Sequence, residues 1–189
     1  MTIAELAPPV GEPLTLAEAR AHLRIDDTAD DPVIADLITT VREHLERTTG
    51  LVLIARSFRL YLDRWPQGRV LEIGRGPIRS IETITGYDAL GAPFETDMTG
   101  FVLDGGASPP RLFLPAAPET ARAVNGIEID FTAGFGTTGA EVPASLKRAL
   151  LLHLALLHAY RGAVSPGDQP ADVPAGYDRL VAPFRRMRL

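Results

Sequence analysis

The spacing of apolar residues changes twice along this chain, and that double switch constrains the fold more than any other feature. Through residues 1–50 they recur every three to four positions, the period of an amphipathic helix. From Leu53 to about Thr132 the period becomes two, the signature of strands with one face buried. After Pro143 the helical period returns. A helix–helix, strands, helix–helix order in 189 residues calls for an α+β protein: a helical bundle built from both ends of the chain, with a small antiparallel β-sheet region inserted. The divisions fall at 1–50 for the amino-terminal helices, 51–132 for the strands, and 133–189 for a long helix, a linker and a tail.

Local signals place the helices. Thr15 and Glu18 form a T-x-x-E capping box, in which each side chain satisfies an orphan backbone donor. Leu16, Ala19 and Leu23 then share a face. Asp26, Asp27, Asp30 and Asp31 make an acidic turn, and Asp31-Pro32 reads as the N-cap and first residue of a second helix. Its stripe is Ile34, Leu37, Ile38, Val41 and Leu45, and Gly50 supplies a left-handed stop.

In the middle region, Phe58, Leu60 and Leu62 alternate with Arg59, Tyr61 and Asp63, a strand ending near Trp65-Pro66. Further short strands are expected at Val70–Ile73, Ser80–Tyr87, Gly100–Leu103, Arg111–Leu114 and Gly126–Thr132. Gly/Pro/Asp-rich turns separate them. Pro143 opens a helix expected to reach Arg161. At 100° per residue it gathers Lys147, Arg148, His158 and Arg161 on one side and leaves the rest apolar, more than a single neighbouring helix would cover. Residues 163–175 read as a linker. A short helix around Tyr177–Val181 precedes the basic end Phe184-Arg185-Arg186-Met187-Arg188-Leu189.

Charge is distributed unevenly. The net is −5, yet residues 1–50 carry ten acidic and four basic side chains, while residues 141–189 carry four and seven. Acidic front and basic end suit association with a second copy or a partner. The overall sign argues against a surface that grips a nucleic-acid backbone. With no cysteine, disulfides, iron–sulfur clusters, thiolate zinc sites and cysteine nucleophiles are excluded. No secretory leader is expected, and the longest apolar stretch, Ala149–Tyr160, is too short to span a bilayer.

Catalytic and metal-binding patterns do not emerge. His22, His44, His153 and His158 form no H-E-x-x-H, and His153 and His158 point roughly 140° apart around one helix. His153 is expected as a hydrogen-bonded core residue, with His22 and His44 on helix surfaces. The four aspartates lack the D-x-[DN]-x-[DN]-G spacing of a calcium loop. Residues 132–139 (TAGFGTTG) are glycine-rich but carry no G-K-[ST], and no G-x-S-x-G elbow occurs. No catalytic residue, metal or cofactor is expected, and the chain reads as a non-enzyme.

Three stretches together carry a resemblance. Glu12-Pro13-Leu14-Thr15-Leu16-Ala17-Glu18-Ala19-Arg20-Ala21-His22-Leu23-Arg24 is similar to an opening P-x-T-L-x-E-A-x-x-H-L-R. Phe131-Thr132-Ala133-Gly134-Phe135-Gly136, followed by Val142-Pro143 and a helix ending in Tyr160-Arg161, is similar to Y-T-A-G-Y-G…V-P…Y-x-x-R, with Phe twice in place of Tyr. Leu180-Val181-Ala182-Pro183-Phe184-Arg185 is similar to a closing L-L-x-P-Y-R. In that order, from about residue 11 to 186, they resemble the phage head–tail connector (adaptor, or head completion) family, which includes adaptors of gene transfer agents. The middle strands carry little of the resemblance.

The resemblance implies a structural, non-enzymatic subunit of a virion or phage-like particle, assembled in the bacterial cytoplasm. It would stand in a ring, usually of twelve copies, below the portal protein, extending the DNA channel and offering a surface to a stopper or tail-completion protein. DNA would pass without specific binding, and no membrane is involved. Arg179, Phe184, Arg185, Arg186, Met187, Arg188 and Leu189 would dock on the portal, an arginine-plus-apolar composition suited to an interface anchor. Asp26, Asp27, Asp30 and Asp31 against Lys147, Arg148, His158 and Arg161 would supply subunit contacts. Two alternatives stand beside it: a tail-side neck protein, and a cytosolic small-molecule-binding module with a pocket in the β region. Copy number, the tail-side partner, and infective phage versus gene transfer agent are not encoded in any motif.

Overall fold

A computed structural model describes residues 1–160 and 173–185. The described chain is mixed α and β, with four α-helices and two antiparallel sheets. It divides into two compact units. One comprises Met1–Val10 and Ala55–Gly134, the other Gly11–Ile54 and the described residues from Phe135 onward.

The first unit holds every strand. Its larger sheet has the order β1-β2-β8-β4-β5, formed by Thr2–Glu5, Arg56–Leu62, Ile127–Ala133, Ile78–Tyr87 and Pro93–Glu95. The alternation read from the sequence sets the register. Phe58, Leu60 and Leu62 of β2 lie opposite Phe131, Ile129 and Ile127 of β8, and all six are buried. The Phe58 and Phe131 rings stack with centroids 5.6 Å apart. On the other face, Arg59 forks onto Asp130, with Nε and Nη2 donating to its two carboxylate oxygens at 2.6 and 2.7 Å. The side-chain hydrogen bond to Asp130 raises the Arg59 pKa against the opposing effect of burial.

A smaller sheet of order β3-β7-β6 comprises Val70–Glu72, Arg111–Phe113 and Val102–Asp104. Leu71 and Leu112 fill its inner face. Gly105 abuts β4 so closely that a Cβ there would meet the Ile78 carbonyl, and the Gly105 carbonyl accepts from the Ile78 N–H at 3.0 Å.

Two strands depart from the sequence reading. β1 lies where no strand was expected, and β5 begins at Pro93, inside an expected turn. Both are edge strands held by pairing with a neighbour, β1 through four residue pairs with β2, a stabilisation that four or three residues of sequence cannot announce. Arg56 of β2 also pairs with Glu5 of β1, Nε to Oε1, at 3.0 Å.

The second unit holds α1 (Leu16–Leu23), α2 (Asp31–Thr49), α3 (Ala144–Ala159) and α4 (Tyr177–Val181). The capping box at Thr15 and Glu18 is present with both reciprocal bonds, and Gly50 closes α2 in the left-handed conformation (φ 77°). Pro32 stands in the first turn of α2, but Asp31 is already helical and Asp30 is the N-cap, making no side-chain capping bond. These two carboxylates are engaged elsewhere, Asp31 with Arg20 and Asp30 with His158. α3 stops at Ala159, short of Arg161, which lies outside the described residues.

Ile34, Ile38, Val41 and Leu45 of α2 meet Leu146, Ala149, Leu150 and Leu154 of α3, with Ala19, Tyr177 and Val181 completing one apolar core. A buried polar network borders it. Arg42 donates through Nε and Nη2 to both carboxylate oxygens of Glu12 (2.7 and 3.2 Å) and through Nη1 to Glu46 (3.3 Å). The other Glu46 oxygen accepts the Leu53 N–H at 2.7 Å. One arginine thereby ties α2 to the segment before α1, and one glutamate ties it to the segment after itself. Burial opposes the Arg42 charge, but Glu12 and Glu46 outweigh it and raise its pKa.

Candidate functional site

The acidic turn sits between α1 and α2. Asp26 and Asp27 are exposed. Asp27 uses its carboxylate locally, accepting the Ala29 N–H at 2.9 Å, and its carbonyl accepts from Arg20. Asp30 and Asp31 face partners in their own chain, Oδ2 of Asp30 at 3.6 Å from Nε2 of His158 and Oδ1 of Asp31 at 3.5 Å from Arg20.

The basic side of α3 meets α1. Lys147 Nζ bonds Glu18 at 2.5 Å, and Arg148 lies 3.4 Å from Nδ1 of His22. The Lys147 bond, with the Thr15 backbone, holds the Glu18 carboxyl below its usual range. Burial, then the Arg148 charge, lowers the His22 pKa. So Lys147, Arg148 and His158 all have partners within their own chain.

In the carboxy-terminal segment, Arg179 is exposed, and Arg185 bonds Asp178 at 2.6 Å. Phe184 packs edge-on against Phe135, with centroids 6.3 Å apart, beside the helical core. Arg186, Met187, Arg188 and Leu189 lie outside the described residues.

His153 is a core residue, as its helix face implies, but not a hydrogen-bonded one at Nδ1. It is 7% exposed, and its Nδ1 has no partner. It is held instead by ring edges, His44 at 4.9 Å and Tyr177 at 5.6 Å. Burial, followed by the nearby His44, depresses its pKa to about 4. Burial likewise pushes the Tyr177 phenol up to about 12. His44 is half-buried against this cluster rather than out on a helix surface.

The glycine-rich loop after β8 encloses an anion supplied by the chain itself. The Glu141 carboxylate accepts the N–H groups of Thr137 (2.8 Å) and Thr138 (3.1 Å), and a Cβ on Gly136 would collide with it. The loop donors that a phosphate would use are therefore occupied. Among the described residues, no group of three or more His, Cys, Asp or Glu side chains is placed to hold a metal ion, and no helix is long and apolar enough to cross a membrane.

Residues 13–83, which cover α1, α2 and the first strands after them, match the Phage gp6-like head-tail connector protein family. Over that stretch the chain is similar to the phage head–tail connectors. Solved structures extend the likeness to the whole length of the chain. A chain from the neck of an empty gene transfer agent (GTA) particle, computed with C6 symmetry, is 27% identical with a TM-score of 0.84. One from the virion of a native GTA particle is 28% identical at 0.85, and one from the neck of a native GTA particle, computed with C12 symmetry, is 28% identical at 0.80. Each alignment covers 100% of this chain and 97% of the other. No curated protein matches. The connector family and the neck structures support a structural protein of the neck of a phage-like particle.

Proposed function

We propose that this chain forms a ring, of twelve copies, below the portal of a phage or phage-like particle, where it extends the DNA channel and presents an attachment surface for stopper or tail proteins. The observation that carries the proposal is the end-to-end correspondence with subunits of GTA particles whose necks were computed with C6 and C12 symmetry. Cyclic symmetry requires each subunit to offer two different, complementary surfaces that close by rotation. The acidic turn (Asp26, Asp27, Asp30 and Asp31) is our candidate for one of them, and the α3 side bearing Lys147, Arg148 and His158, together with Arg161 further along the sequence, for the other. Intrachain pairing of Lys147, Arg148 and His158 means that these contacts would be rearranged or shared in the ring.

The end of the chain, Arg179 and Phe184 to Leu189, is the proposed portal anchor. A net charge of −5 suits a conduit wall, because a protein releasing few phosphate counterions holds moving DNA weakly. The test is truncation after Pro183 in a particle-producing strain. Capsid attachment is expected to be lost while the purified chain keeps its helical circular dichroism; unchanged attachment would remove the portal anchor. Cryo-electron microscopy of particles carrying a tagged full-length chain should show the tag at the neck, and its absence there would remove the ring.

A further inference from the structure

The sheet unit contains a groove lined by two arginines that meet no carboxylate among the described residues. Arg64, Trp65 and Arg69, on the connection between β2 and β3, face the connection from β7 to β8 across an open space of about 710 Å³. Pro115 and Pro118 form an apolar wall, and Glu119 stands at the lining too. Trp65 is 7% exposed, and its indole N–H meets no acceptor in the protein. Arg69 is steadied at the rim by donating through Nη1 to the Pro115 carbonyl at 2.7 Å. Among the described residues, no carboxylate lies within ion-pair distance of Arg64 or Arg69. The groove thus presents two guanidinium groups beside an apolar wall, with Trp65 in its lining. Those chemistries ask for a short anionic segment rich in acceptors, and the space admits a few residues.

We propose that this groove receives the acidic turn of a second copy of the chain, with Asp26 and Asp27 answering Arg64 and Arg69. The turn is the densest acidic stretch in the sequence, four aspartates in six residues. Asp30 and Asp31 are already matched by His158 and Arg20, whereas Asp26 and Asp27 are exposed. Lys147, Arg148 and His158 already have partners within their own chain, whereas Arg64 and Arg69 stand together at one groove with no carboxylate of the described residues in ion-pair contact. Turn and groove are different patches of the chain, as a head-to-tail contact between copies requires. This inference rests on the ring reading but pairs Asp26 and Asp27 with the groove instead of with the α3 side.

The single tryptophan of the chain lies in the groove, so its fluorescence reports occupancy directly. A synthetic peptide of residues 24–33 titrated into the purified full-length protein at low salt should give a saturable change in emission. Arg64→Glu/Arg69→Glu, both exposed positions, should leave the thermal melt unchanged and weaken peptide binding by roughly tenfold or more, a loss of about 1.4 kcal/mol. In particles, the same double reversal should lower the yield of tailed particles, and adding Asp26→Arg/Asp27→Arg should restore it. A flat titration, binding indifferent to the reversal, no rescue by the swap, or tighter binding of a short DNA duplex than of the peptide would each overturn the proposal. Should the wild-type chain be absent from particle necks, the ring itself fails; should it be present while the titration is flat, only this contact fails.

Discussion

Replacing Arg42 by Leu tests whether its ion network is a keystone of the helical unit. The Arg42 and Glu46 side chains are 6% and 5% exposed, and Glu12 29%. Deleting the cation strands one carboxylate in the interior and a second at its edge, without the desolvated partner that held them. Loss of one member of a buried pair typically costs about 3–5 kcal/mol, most of it the cost of the charge left behind. For a chain of this size that corresponds to a fall in Tm of roughly 6–20 °C. The mechanism makes a sharper demand in the double variant. Arg42→Leu/Glu46→Gln neutralises the stranded charge yet keeps an oxygen to accept the Leu53 N–H, so it should be more stable than Arg42→Leu alone by at least about 1 kcal/mol. Urea unfolding followed at 222 nm measures both. A cost below about 1 kcal/mol for Arg42→Leu, or a double variant less stable than the single, would refute the reasoning.

Four further outcomes are expected. Leu150→Ala, at the α2–α3 contact, should cost about 2–5 kcal/mol by emptying a fully buried site, read from the same unfolding curves. Glu18→Ala removes one half of the capping box and the Lys147 partner together, and should cost about 1 kcal/mol. Because burial holds His153 near 4 in the folded state against 6.5 unfolded, the unfolded chain binds more protons between those values; stability is fully present above about pH 6.5, and Tm should fall as pH drops from there toward 4, less steeply in His153→Phe. Gly105→Val should disrupt the junction of β4 with the smaller sheet, seen as lost near-ultraviolet signal, since its side chain has only the Ile78 backbone to occupy.

The helices were legible because their signals are local. The Thr15–Glu18 box and the stripe from Ile34 to Leu45 each lie within one or a few turns, and the structure keeps them. The β2 and β8 alternations were readable for the same reason. Edge strands were not, since β1 exists through its pairing with β2, some 55 residues away in sequence. Intrachain charge pairing was illegible for the same reason. Lys147 reads as a surface cation until packing brings Glu18, 129 residues distant, to meet it. The Arg42 network left a faint trace, an Arg and a Glu four residues apart along the buried stripe of α2, but its third member, Glu12, arrives from outside the helix. Trp65 reads as no more than the end of a strand, because the groove it lines is closed by a loop fifty residues later.

The division of the chain has a consequence for its synthesis. The sheet unit is complete once residue 134 has been made, but α1 and α2, translated long before, must wait for α3 to cover Ile34, Ile38, Val41 and Leu45. A ribosome paused in that interval carries a finished half and a naked greasy one. Chains released there by a premature stop codon should accumulate in inclusion bodies, so the yield of folded chains depends on how quickly the message for α3 is read.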